Sequence, residues 1–382
     1  ENKDNITITA NTPSKPSKEQ IINQAFKFHS QGKVSEAAKC YQDIIDQGFK
    51  DHIVFSNYGI ILKELDNLQE AELFTRKAIE LNPYYAAAHS NLGGILKGLR
   101  KWQEAESSTR KAIELDPDLS VAHLNLGTIL VHIGIIKEAE VSLNKSIELN
   151  PNHSIAYRYL SICLYIRGEK LPAYKTILKA ISLDPENRIN RLLSKIFEKK
   201  NLSSLETLEN DLLLLHRPVE PELIDSLYQL KSIDQSLYIG PTYGNAKGSD
   251  YYLFDRNEPI IKMIKKDLIS LASQSLKSKI IIKESFFTIS QSGTGLKSHT
   301  HLNILDTVKG LNLSDRKFAL VYYLSIGDQT CAEPGILKLE EPYQEILPKN
   351  GLITLFPASR KHSVFYKGRK DRIIIGVNFY AI

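Results

Sequence analysis

The stretch NLGGILKGLRKWQEAESSTRKAIELDP, residues 91–117, decides the first half of the fold. Its apolar residues recur three and four apart as Leu92, Ile95, Leu96 and Leu99, and again as Trp102 and Ala105, with Ala112 two turns further on. That spacing marks one face of an amphipathic α-helix, twice over. Small residues at Gly93 and Ala105 let the two helices of a hairpin approach closely. Asp116-Pro117 then stops the second helix, because proline lacks the N–H and its ring clashes with the preceding turn.

The hairpin recurs. Pro83, Pro117, Pro151 and Pro185 stand 34 residues apart. The same period carries Gly59, Gly93 and Gly127, with Ser161 in the fourth place. It also carries Ala37, Ala71, Ala105, Ala139 and Ala173, and a further series of Ala78, Ala112, Ser146 and Ala180. A period of 34 is that of a helix–turn–helix repeat, and coincident series exclude chance. The residues resemble the tetratricopeptide pattern over 16–185, which makes five repeats. The first repeat (16–49) is divergent, with Gly48-Phe49 where the others have Asn-Pro or Asp-Pro. Terminal repeats are often atypical because they cap the stack.

The resemblance implies a helical solenoid whose first helices line a groove for a protein or peptide partner. Asn57, Asn91 and Asn125 share one repeat position and are assigned to that partner, since an amide both donates to and accepts from an extended backbone. Phe55, His89, His123 and Tyr157 share another position, and its histidines read as surface residues inherited by duplication.

Composition narrows the class. The chain is 42% hydrophobic and 24% charged, as ordinary globular proteins are. A net charge of +5, with acids interspersed among the bases, offers no concentrated basic face for nucleic acid. No apolar run reaches the roughly 20 residues of a membrane span. Cys40, Cys163 and Cys331 lie far apart, odd in number, which favours a reducing, cytoplasmic setting. Residues 1–15, polar and proline-bearing, read as a disordered lead-in. Residues 186–235 read as capping and bridging helices, and 236–278 as a linker followed by a helix around 258–276. That helix has one apolar face of Ile260, Ile261, Ile264, Leu268 and Leu271.

From Lys279 the texture changes to short β-branched runs: 280–291, 317–326, 335–340, 352–357, 362–366 and 371–381. Many short strands with turn signals predict a sandwich or barrel over 279–382. Only three of the ten histidines lie beyond His216: His299, His301 and His362. His299 and His301 are two apart, so an extended chain points both to one face. Arg372 follows His362 by ten, and a hairpin near Lys367-Gly368 is expected to set the two level on neighbouring strands.

These residues carry a second resemblance. A His-x-His-x-Asn stretch, then VYYLS, GIL, LITLFP, His362 and DRIIIGVNF are similar to a bacterial branch of iron(II)/2-oxoglutarate dioxygenases, from about residue 250 onward. The resemblance implies a multidomain α plus β protein: a tetratricopeptide solenoid followed by a double-stranded β-helix (jelly-roll) barrel. It implies Fe(II) on His299, His301 and His362, with open positions for 2-oxoglutarate and dioxygen. It further implies Arg372 as the cation for the cosubstrate's far carboxylate, which a planar guanidinium grips bidentately. The family's reaction decarboxylates 2-oxoglutarate to succinate while a substrate is oxidised. Most of the superfamily has a carboxylate where this chain has His301. Either three histidines form the site, or Asp306 or Asp328 completes it, or the site is degraded and the chain is a binding scaffold.

Overall fold

The computed structural model describes residues 17–198, 212–230, 232–234 and 246–382. The lead-in expected at 1–15 and the linker residues 236–245 lie outside them. The chain divides into two compact units, one up to Ala122 and one from His123 onward.

The five expected hairpins are present: α1 (Lys18–Ser30) with α2 (Val34–Asp46), α3 (His52–Glu64) with α4 (Leu68–Leu81), α5 (Ala86–Gly98) with α6 (Trp102–Leu115), α7 (Ser120–Ile133) with α8 (Ile136–Leu149), and α9 (Ser154–Ile166) with α10 (Lys170–Leu183). Side chains start two of the helices. Ser17 and Gln20 form a capping box on α1, and Asp51 accepts from the Ile53 and Val54 amides on α3. The periodic small residues are the sites of close approach. Ala71, Ala78, Ala105 and Ala112 are fully buried. A Cβ on Gly93 would stand 2.0 Å from Thr109 Oγ1 and 3.2 Å from the Ala105 carbonyl. Gly59 meets Thr75 in the same way, so the glycine series records contact between the helices of a hairpin. Ile61, Ile95 and Leu96 fill the cores beside them, each burial stabilising by about 1.5–3 kcal/mol.

In the second unit, α11 (Arg188–Glu198) lies over α10, burying Leu192, Leu193, Ile196 and Phe197. Asn190 is fully buried there and donates to Ser154 Oγ (3.2 Å). Residues 199–211 of the segment that follows lie outside the described residues, and beyond them the helical reading holds at Pro221–Gln229 but fails at Leu213–His216 and at Ile233–Asp234. Leu213–His216 forms a strand, β1, whose residues alternate between half-buried and exposed. A run of leucines does not by itself separate helix from strand, and Pro218 closes this one after four residues.

The remaining strands are β2 (Ile233–Asp234), β3 (Lys247–Gly248), β4 (Ile280–Ser290), β5 (Thr294–His299), β6 (Lys317–Ile326), β7 (Leu337–Leu339), β8 (Gln344–Ile346), β9 (Leu352–Pro357), β10 (His362–Tyr366) and β11 (Arg372–Ala381). They make two antiparallel sheets, one of order β1-β9-β6-β11-β4-β3-β2 and one of order β5-β10-β7-β8. Among the described residues no strand ladder runs from one sheet into the other, so the expected barrel takes the form of two facing sheets. Helices α12 (Pro221–Gln229) and α13 (Pro259–Ser275) cover the outer face of the large sheet. Ile261, Ile264 and Leu268 of α13 pack there with Phe287, Leu320, Tyr322, Ile373 and Ile375. On the inner face Ala319 and Phe356 pack against Leu337, Leu339 and Ile346 of the small sheet. Burial on both faces explains why FALVYYLSI and RIIIGVNFYA are nearly unbroken apolar runs.

Candidate metal centre

Three histidines converge at one end of the small sheet. His299 ends β5, His362 begins β10, and the two are directly paired in the ladder. His301 lies beyond β5 and is held by its backbone, its N–H donating to the Ala358 carbonyl at 2.9 Å. Ring centroids are 4.3 Å apart for His299 and His362, 4.8 Å for His301 and His362, and 5.1 Å for His299 and His301. One nitrogen from each can be chosen so that all three lie within 4.8 Å of one another. Such a spacing suits a single ion bound on one face.

The protonation chemistry fits a metal. His299 Nδ1 lies 2.8 Å from the Lys297 carbonyl, and His362 Nδ1 lies 3.1 Å from the Arg360 carbonyl. Each ring therefore donates Nδ1–H to a backbone oxygen and presents a bare Nε2, as ligating histidines do. Burial, then the neighbouring His299, pushes His362 down to about 4. Burial, then His362 and His299, holds His301 well below the ordinary histidine range. Both rings are thus neutral at physiological pH, the form that binds metal. His301 differs in its surroundings. Its Nδ1 faces the Asn378 amide nitrogen at 3.5 Å, and that nitrogen donates to Glu284 Oε2 at 2.9 Å.

Neither aspartate considered from sequence joins the three histidines. Asp306 is buried in an ion pair with Lys317 (2.7 Å), and Asp328 accepts from Thr330 in a turn. The cluster is therefore an all-histidine one among the described residues.

Arg372 occupies the same interior by a route other than the one expected. His362 and Arg372 are not neighbours across a hairpin, because β10 lies in the small sheet and β11 in the large one. The chain crosses from one layer to the other through residues 367–371, tethered by Tyr366 Oη on the Lys370 carbonyl. Both side chains line one cavity of about 70 Å³, His362 from the small sheet and Arg372 from the large one. His301, Thr294 and Tyr366 line it beside Thr288, Ser290 and Tyr323. Arg372 is 4% exposed, its guanidinium carbon 5.3 Å from the Tyr323 ring centroid. Among the described residues its Nε has no hydrogen-bond partner, nor has the buried Thr294 Oγ1. Burial depresses Arg372, and only tyrosines oppose the shift. Tyr322, one residue earlier on β6, points the other way and bonds Arg217 (3.1 Å) and the Pro218 carbonyl (2.7 Å).

Thr288, Ser290 and Asn378 reach the cavity by strand parity, Ser290 pairing directly with Arg372. Asn378 follows from the sequence alone, six residues on from Arg372 at the same parity, whereas Thr288 and Ser290 depend on the pairing of β11 with β4.

In the repeats, Asn57 and Asn91 are half-buried and Asn125 is buried. Asn91 donates its amide to Ser56 Oγ at 2.9 Å. One part of that amide is therefore engaged within its own array.

Residues 54–85 and 121–153 match the family model described as Tetratricopeptide repeat. The hairpins over those residues are tetratricopeptide repeats. The chain also resembles solved structures. The APC/C hetero-tetramer Cut9–Hcn1 shares 16% identity over 48% of this chain and 36% of that one, with a TM-score of 0.46. A thermophilic tetratricopeptide protein of Thermus thermophilus shares 15% over 47% of this chain and 98% of its own, with a TM-score of 0.42. YrrB, titled a tetratricopeptide protein with an unusual peptide-binding site, shares 20% over 47% of this chain and 92% of its own, at 0.37. A comparison with curated proteins found no match. No helix among the described residues is long and apolar enough to cross a membrane.

Proposed function

We propose that this is a protein-binding tetratricopeptide scaffold whose carboxy-terminal sheets hold one metal ion and an anionic cosubstrate, as an iron(II)/2-oxoglutarate-dependent dioxygenase does. In this reading the two sheets are the walls of a double-stranded β-helix, and the chain is an enzyme of that class. The observation that carries it is Arg372: a buried guanidinium whose Nε has no hydrogen-bond partner among the described residues, in a cavity that His301 and His362 of the histidine cluster also line. A buried charge without a counter-charge is costly and calls for an anion to complete it.

His299, His301 and His362 would hold the ion. Ferrous iron bound there supplies oxygen activation coupled to decarboxylation of 2-oxoglutarate. The protein's own contribution is positional. Arg372 orients the far carboxylate from the large sheet, with Thr294 Oγ1 as a second donor beside it. The carbonyls of Lys297 and Arg360 fix the tautomers of two ligands. The facing sheets bury His362 and Arg372 away from bulk water. The repeats would bring a protein or peptide, with Asn57, Asn91 and Asn125 as contacts, and raise its local concentration.

The second reading is a scaffold with a catalytically inactive carboxy-terminal region. It is favoured by the comparisons, whose matched residues 54–85 and 121–153 lie in the repeats, and by the lack, among the described residues, of a carboxylate in the histidine cluster. The deciding assay is conversion of 2-oxoglutarate to succinate by purified protein with ferrous iron and oxygen, beside His362→Ala. Turnover lost in the variant supports the enzyme. No turnover, and no anaerobic binding of iron or 2-oxoglutarate, leaves the scaffold.

A further inference from the structure

His301 is the one ligand candidate outside a strand, so no ladder fixes its backbone. Something else holds it. Lys317, at the start of β6, donates its ammonium to the His301 carbonyl and to Asp306 Oδ2 (2.7 Å). Lys317 and Asp306 side chains are both 0% exposed. Asp306 is fixed in turn, by the Tyr380 hydroxyl on Oδ1 (2.6 Å) and the Asn303 N–H on Oδ2 (2.8 Å). The Asn303 side chain returns the bond by accepting from the Asp306 N–H (3.1 Å). The Lys317 carbonyl closes the circuit by accepting from the Ala358 N–H (2.8 Å), whose own carbonyl accepts from His301 N–H (2.9 Å). Both backbone groups of His301 are thus tied, directly or through one residue, to Lys317.

A buried ion pair is weak evidence for a stabilising role, because well-packed apolar residues often serve as well. Apolar residues could not, however, donate to the His301 carbonyl. We infer that Lys317, braced by Asp306 and Tyr380, is the positioning residue of the metal centre, setting the 301–306 turn so that His301 meets His299 and His362. It touches no reacting atom. The inference rests on the metal reading above.

The test separates position from stability. Lys317→Met and the double variant Lys317→Met/Asp306→Leu are compared with wild type by anaerobic Fe(II) and Co(II) titration and by chemical unfolding of the metal-free protein. The double variant removes both charges and should regain much of the stability that Lys317→Met loses. Its metal affinity should nonetheless stay roughly 10–100-fold below wild type, the range for lost supporting contacts. A double variant that regains stability and binds metal as wild type does would reduce the pair to a structural one and overturn the inference. Should both variants fail to fold, Tyr380→Phe deletes one hydroxyl and keeps the ring. It should weaken metal binding several-fold, and unchanged affinity there overturns the inference equally. Wild type that takes up no metal, indistinguishable from His362→Ala, overturns the metal reading and this inference together.

Discussion

Tyr323 lies beneath the guanidinium of Arg372, 5.3 Å from ring centroid to guanidinium carbon, and among the described residues no carboxylate pairs with that cation. An aromatic face softens the cost of a buried charge but does not replace a counter-charge. Arg372→Met, similar in reach and uncharged, should therefore leave the ligand-free protein as stable or more so, by on the order of 1 kcal/mol. The same variant should lose 2-oxoglutarate binding. Chemical unfolding and calorimetric titration measure the two effects; a clear loss of stability would show that Arg372 is satisfied in the empty protein.

Gly335 guards the other side of Arg372. Its φ is +85°, and a Cβ there would lie 2.7 Å from Arg372 Nε. Gly335→Ala should cost about 1 kcal/mol or more through the left-handed backbone alone. It should also displace the guanidinium and weaken cosubstrate binding about tenfold. Normal affinity in a destabilised variant would mean the side chain had simply stepped aside.

In the repeats, Gly93→Ala should destabilise by roughly 1–3 kcal/mol, the range for forcing a methyl into a packed core. Thr109→Ala removes the hydroxyl that the new Cβ would strike at 2.0 Å. The double variant should recover part of the loss, although the Ala105 carbonyl at 3.2 Å still crowds the site. Thermal melts of the four proteins make a double-mutant cycle, and strict additivity would refute the contact.

His362 sets a pH window for the metal-free protein. Its folded value of about 4 lies below the ordinary 6.5. Between these values the unfolded chain binds a proton that the folded one refuses, so stability rises with pH there. The contribution is complete above about 6.5 and is lost as pH falls towards 4. His362→Gln should narrow its stability gap from wild type over that interval when both are unfolded with chelator present. A gap that is flat from pH 7.5 to 5 would show that the imidazole is not held neutral.

The repeats were legible because their period repeats one contact. Gly59 against Thr75 and Gly93 against Thr109 are the same event, and a sequence that makes it twice advertises it. The histidines were legible for a related reason: His299 and His301 share parity, and strand texture around His362 placed it inside. What stayed hidden depends on pairing between distant segments. Nothing local says that β10 and β11 belong to different sheets, since a short turn suits a crossing as well as a hairpin. The strand at 213–216 was masked by leucines that fit either period. Lys317 was invisible because a lysine opening a strand normally faces water; here Asp306, eleven residues earlier, goes inside with it.

The crossing between layers has a mechanical meaning. The histidines belong to the small sheet or the loop leaving it, and Arg372 belongs to the large one. A molecule that touches both ends of the cavity would act as a clasp across the seam. With the clasp fastened, the two layers would move as one; without it, each would be free to breathe against the other. Occupancy of the site would then be written in the amide exchange of β5, β10 and β11.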